Sequence, residues 1–172
     1  MQSPSAEMSE PPMLPQELAG PDRTDRAIRV VIADDHPVVR RGVRQVFDAE
    51  GDIEVLGEAA DAETAWRYVH AHHPDVLVID LNMPGEPTLE VIPRLRERFP
   101  DTQIVVLTMQ DEPAYARLAL RLGVLGYVLK DAADAELVRA VRAVADGESF
   151  LNPRLGARVA IEPPSGPPDG LS

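Results

Sequence analysis

Residues 28–35 read IRVVIADD. A short apolar run rich in β-branched residues and closed by two aspartates has the length and composition of a buried strand. Four further runs share that character: IEVLGEA (53–59), DVLVID (75–80), QIVVLT (103–108) and VLGYVL (124–129). Amphipathic, helix-like stretches separate and follow them. VVRRGVRQVFDAE comes after Pro37, a residue suited to the first helical turn. DAETAWRYVHAHH opens on Asp61, an N-cap residue with Thr64 three positions on. LEVIPRLRERF carries Pro93 and stops before Pro100, while PAYARLALRLG and DAELVRAVRAVADG end on Gly123 and Gly147. Five strands alternating with five helices predict right-handed βαβ crossovers. The fold class is therefore α/β: a doubly wound, five-stranded parallel sheet with helices on both faces, and an order of 2-1-3-4-5 would set strands 1 and 3 side by side. Strands apolar throughout, as these are, suit a sheet covered on both sides.

The 172 residues suffice for one ordinary domain, and 44% of them are apolar. Ten of the seventeen prolines lie in residues 1–21 and 153–172. Such stretches bury too little apolar surface to offset the entropy of ordering. A flexible segment over 1–27, a compact domain over 28–152 and a Pro/Gly-rich linker over 153–172 follow. No apolar run is long enough to span a membrane, and the N-terminus lacks the basic start and apolar centre of a secretory signal. With no cysteine in the chain, disulfides and thiolate chemistry are excluded, and a cytoplasmic location is the default expectation. The net charge of −12 opposes sequence-independent binding to nucleic acid.

In open α/β sheets, ligands bind beyond the carboxyl ends of the strands. Those ends carry Asp34 and Asp35, Asp80, Thr108 and Lys130, which is the only lysine beside sixteen arginines. With strands 1 and 3 adjacent, three carboxylates converge. Like charges so close raise one another's pKa values unless a cation neutralises them, and a hard divalent ion such as Mg²⁺ suits the set. Lysine at the end of strand 5 adds a compact point charge where arginine's wide fork would need a different pocket.

The motifs DDHPVVRRGV, DLNMPG, VVLTM and GYVLKDA together resemble the receiver domains of two-component response regulators. They are closest in kind to the NarL/FixJ subfamily, whose receivers precede a LuxR-type helix-turn-helix. The resemblance covers roughly residues 28–152 and implies the flavodoxin-like receiver fold. It also implies that Asp80 is the phosphoacceptor, that Asp34, Asp35 and Asp80 bind Mg²⁺, and that Asn82 lends a main-chain carbonyl to the metal. Thr108 would be the switch hydroxyl, Tyr127 a switch aromatic whose ring turns inward on activation, and Lys130 the cation on the phosphoryl group. A sensor histidine kinase would be the phosphodonor and a homodimer the activated form. DNA would be reached only through a domain absent here, because no recognition helix or basic stripe is present. A piece of a longer regulator is the first expectation, and a natively single-domain receiver the second.

One stretch departs from the family pattern. Glu86-Pro87-Thr88 stands where a segment ending in glycine is common, which predicts a remodelled loop beside Asp80. Two readings from other classes compete. A phosphate-independent pseudo-receiver scaffold is opposed by the full set Asp34, Asp35, Asp80, Thr108 and Lys130. A haloacid-dehalogenase-like phosphatase would need D-x-D and a cap insertion, and neither is here. His70, His72 and His73 are expected at a helix C-terminus rather than on a metal, Trp66 in packing, His36 at a helix entry, and Arg40, Arg41 and Arg44 on a solvated face.

Overall fold

The computed structural model describes residues 26–161. The segment expected to be flexible falls outside these residues apart from its last two positions, as does the end of the predicted linker, 162–172. The strands are β1 (Ile28–Ala33), β2 (Ile53–Ala59), β3 (Val76–Ile79), β4 (Gln103–Thr108), β5 (Gly126–Leu129) and β6 (Phe150–Leu151). The helices are α1 (Pro37–Asp48), α2 (Ala62–His72), α3 (Thr88–Arg98), α4 (Pro113–Arg121), α5 (Ala133–Ala145) and α6 (Pro153–Ile161). All strand pairs are parallel, in the order β2-β1-β3-β4-β5-β6.

Sequence punctuation explains most helix boundaries. Pro37 lies in the first turn of α1. The Asp61 side chain accepts the Thr64 N–H at 2.7 Å and caps α2. Gly123 and Gly147 adopt φ of +103° and +84° just past α4 and α5, a region open to glycine at little cost. His73 ends α2 in the same left-handed region at φ 48°.

The sheet's two faces build two cores. Val31, Ala33, Leu77, Ile79, Ile104 and Val106 face α2, α3 and α4, while Val30, Ile32, Val76, Val78, Val105 and Leu107 face α1 and α5. This period-two alternation lets one continuous apolar run serve both layers. Each fully buried Val, Leu or Ile contributes about 1.5–3 kcal/mol. Gly126 sits where α5 and the neighbouring strand leave no room for a side chain. A Cβ there would lie 3.0 Å from both Val105 Cγ2 and Val144 Cγ2.

Two expectations require correction. The sheet has six strands rather than five, because Phe150 and Leu151 pair with Gly126 and Tyr127 on the outer edge of β5. Residues 153–161, expected to begin a flexible linker, form α6 instead. Asn152 Oδ1 accepts the N–H groups of Arg154 and Leu155 at 2.9 and 3.4 Å, and Pro153 begins the first turn. Leu155 is buried in the same core as Ala116, Ala119 and Tyr127, and Arg117 of α4 donates to the Val159 carbonyl at 3.1 Å. Tertiary packing thus orders a short helix that would not persist alone.

Candidate functional site

Parallel strands place all their carboxyl ends at one edge of the sheet, and that edge gathers the predicted polar residues. Asp34 follows β1, Asp80 follows β3, Thr108 ends β4 and Lys130 follows β5. Main-chain bonds continue the ladder to the acids: Asp80 N–H donates to Ala33 O, and Asp34 N–H to Ala59 O. The central feature is Lys130. Its Nζ lies 2.8 Å from Asp34 Oδ2 and 2.9 Å from Asp80 Oδ2, with only 11% of its side chain exposed.

The charge balance of this pocket is unfavourable as it stands. Asp34 and Asp80 are buried and Asp35 is partly exposed, so three carboxylates face one ammonium. Burial is the main cause that pushes the Asp80 carboxyl above the ordinary carboxylate range, and Asp34 adds to it. The hydrogen bond from Lys130 and the 3.2 Å contact from the Asn82 N–H act the other way. For Lys130, burial alone would lower the pKa. The hydrogen bonds to Asp34 and Asp80 outweigh it and hold the ammonium above the usual lysine range. One oxygen or nitrogen from each of Asp34, Asp35, His36 and Asp80 lies within 4.8 Å of the others. Hard, anionic oxygens with excess negative charge fit a divalent cation.

Thr108 is fully buried, and its Oγ1 accepts the Gln110 N–H at 3.3 Å. The Gln110 carbonyl in turn accepts the Tyr127 hydroxyl at 2.7 Å. The Tyr127 ring is fully buried, which pushes its phenol pKa well above the usual value. The ring thus lies inside the fold, with its hydroxyl held at the Gln110 carbonyl. Its register opposite Leu151, on the newly found β6, helps enclose it.

The departing loop is tethered at both ends. Gly85 has φ +93°, Glu86 pairs with Arg94 at 2.5 Å, and Pro87 caps α3. Thr88, which sequence reasoning missed, is fully buried and donates its hydroxyl to the Asp80 carbonyl at 2.8 Å. No sequence signal marked it beyond a threonine following a proline.

His36 was expected only at a helix entry. It does precede α1, yet its side chain makes no capping bond. Nδ1 lies instead 3.2 Å from Asp34 Oδ1 and 3.0 Å from Asp35 Oδ1. Sequence spacing carries no rotamer, so nothing there could reveal this. Of the other tempting residues Arg40 reaches the site, donating to the Asp34 carbonyl at 2.5 Å, and the rest lie outside it. Trp66 packs edge-on against Phe99 with centroids 5.1 Å apart, and Arg40 and Arg44 pair with Glu58 at 3.4 and 2.9 Å. Among the described residues, His70, His72 and His73 form no cluster able to hold a metal, and no helix is long and apolar enough to cross a membrane.

Residues 30–142 match the response regulator receiver domain family. The oxygen regulatory protein NreC of Staphylococcus carnosus is 44% identical over 136 residues, 78% of this chain and 63% of that protein. The chain thus spans less than two thirds of the length of such relatives. The signal receiver domain of the putative response regulator NarL from Mycobacterium tuberculosis is 37% identical, with TM-score 0.68 over 72% of this chain and 99% of that one. The RcsB response regulator of Salmonella typhimurium is 31% identical, with TM-score 0.75 over 80% of this chain and 72% of that chain. Motif, fold and likeness agree, and the chain belongs to the response regulator receiver family of two-component systems.

Proposed function

We propose that this receiver is a phosphorylation-driven switch in which Asp80 accepts a phosphoryl group from a sensor histidine kinase. The observation that carries the reading is the single lysine bridging Asp34 and Asp80 in a buried acidic pocket at the carboxyl edge of the sheet. Asp34, Asp35 and Asp80 would hold Mg²⁺, with the Asn82 main-chain carbonyl as a further ligand. Bound there, the ion supplies neutralisation of the charge gathered on the transferring group. The Asp80 carboxylate attacks phosphorus, an acyl phosphate forms, and the donor's histidine leaves with the electron pair of the broken P–N bond. Lys130 exchanges its Asp80 contact for a phosphoryl oxygen while keeping Asp34. Catalysis is then mostly positioning and charge stabilisation.

Switching follows from the Thr108–Gln110–Tyr127 chain. A Thr108 hydroxyl drawn to a phosphoryl oxygen weakens its contact with the Gln110 N–H. Gln110 is also the partner of Tyr127, so the strain passes to β5 and the neighbouring α4 and α5. Tyr127, bound to Gln110 through its hydroxyl, would be the aromatic that responds to the Thr108 movement. That change would alter a homodimer surface. In the longer protein it would regulate transcription through a DNA-binding domain outside this chain. One structure of the related RcsB holds two dimers on two parallel DNAs, at 31% identity and TM-score 0.73 over 78% of this chain and 69% of that chain. Incubation with acetyl phosphate and Mg²⁺ should add one phosphoryl group, read by intact mass, and Asp80→Asn should abolish it. Equal labelling of the Asn variant would refute the assignment.

A further inference from the structure

His36 is the residue at this site whose geometry exceeds the role given to it. It is positioned as a helix cap, yet its ring caps nothing and turns back over the acidic pair. Asp34 and Asp35 therefore divide their work. Asp34 Oδ2 faces Lys130, whereas Asp34 Oδ1 and Asp35 Oδ1 face the imidazole. We propose that His36 is a nitrogen ligand at the cation site, and that Asp34, Asp35, His36 and Asp80 together favour imidazole-preferring divalent ions over Mg²⁺.

The geometry supports coordination. Ligands about 2.1 Å from a common ion lie at most about 4.2 Å apart, so a set already within 4.8 Å needs only a few tenths of an ångström of closure. The imidazole side chain is 63% exposed, so it can make that adjustment without disturbing the core. A neutral imidazole presents one ring-nitrogen lone pair to a metal. Oxygen-only sites suit Mg²⁺, and a nitrogen in the set shifts preference towards Co²⁺, Ni²⁺ or Zn²⁺ along the Irving–Williams order. Lys130 contacts Oδ2 of both Asp34 and Asp80, which leaves the Oδ1 atoms of these two carboxylates to the ion.

The inference rests on the reading of Asp34, Asp35 and Asp80 as a cation site, and the test separates the two. Calorimetric titrations with magnesium chloride and with cobalt chloride would be run on the wild type, His36→Ala and Asp80→Asn, with unfolding curves to confirm that each variant is folded. Co²⁺ should bind the wild type more tightly than Mg²⁺. In His36→Ala the ratio of Mg²⁺ to Co²⁺ dissociation constants should fall about tenfold or more, as expected for losing a ligand. The visible Co²⁺ spectrum should change with it. An unchanged ratio overturns the His36 assignment and leaves the acidic site standing. Mg²⁺ binding indifferent to Asp80→Asn overturns the site itself, and the His36 ligand with it.

Discussion

Replacing Lys130 by methionine removes the ammonium from between two buried carboxylates while keeping most of the side chain's bulk. At an effective dielectric of about 20, a unit pair about 2.9 Å apart attracts by roughly 6 kcal/mol before desolvation is counted. Breaking a buried pair costs about 3–5 kcal/mol net. Asp35 opens this pocket to water on one side, so about 2–3 kcal/mol is expected here. The cost must depend on pH. The raised pKa of Lys130 means its stabilisation is fully present below the unfolded lysine value of about 10.4 and is lost as pH climbs through the folded value. Asp80 shifts in the same sense, in a lower pH window. Its raised pKa makes the folded state bind a proton more tightly, so stability falls as pH rises from the unfolded value of about 3.9 through the folded one. Without the ammonium this upward shift grows, and acidification should relieve it. Urea unfolding of wild type and Lys130→Met at about pH 7.5 and about pH 4.5 is the assay. A loss of about 2–3 kcal/mol at the higher pH should shrink by at least half at the lower. Equal losses at both pH values would refute the electrostatic account.

Leu155→Ala should cost about 2–3 kcal/mol in urea unfolding, since the side chain is 4% exposed in a shared core; a neutral result would remove α6 from that core. Gly126→Ala should cost about 1–3 kcal/mol by overpacking against Val105 and Val144, with the parent stability approached again when Val144 is trimmed to alanine in the same chain. Tyr127→Phe should lose about 1 kcal/mol as the Gln110 carbonyl forfeits its donor, and an unchanged urea midpoint would show that bond to be idle.

Much of this molecule was readable from its residues. The runs at 28–33, 53–59 and 103–108 coincide with β1, β2 and β4, because unbroken β-branched stretches have few other uses in a two-faced sheet. Strand ends then located Asp34, Asp80, Thr108 and Lys130 by topology alone. What escaped shares one cause. A two-residue strand such as β6 lies below any periodicity, and α6 is held by Leu155 docking rather than by propensity. The Asn152-Pro153 start and the Leu155/Val159 spacing were its only local traces. The His36 ring and the Thr88 anchor are side-chain placements, set for His36 by its rotamer against the adjacent acids and for Thr88 by a carbonyl eight residues back, and periodicity encodes neither.

The docking of α6 also resets distances. Nine extended residues could reach about 30 Å, whereas nine helical ones advance only about 14 Å, and along a fixed direction. With residues 153–161 wound against α4, whatever the chain carries beyond Ile161 is tethered from a point beside that helix rather than from Asn152. A shorter leash anchored at one place raises the local concentration of its cargo on that side of the receiver and lowers it elsewhere.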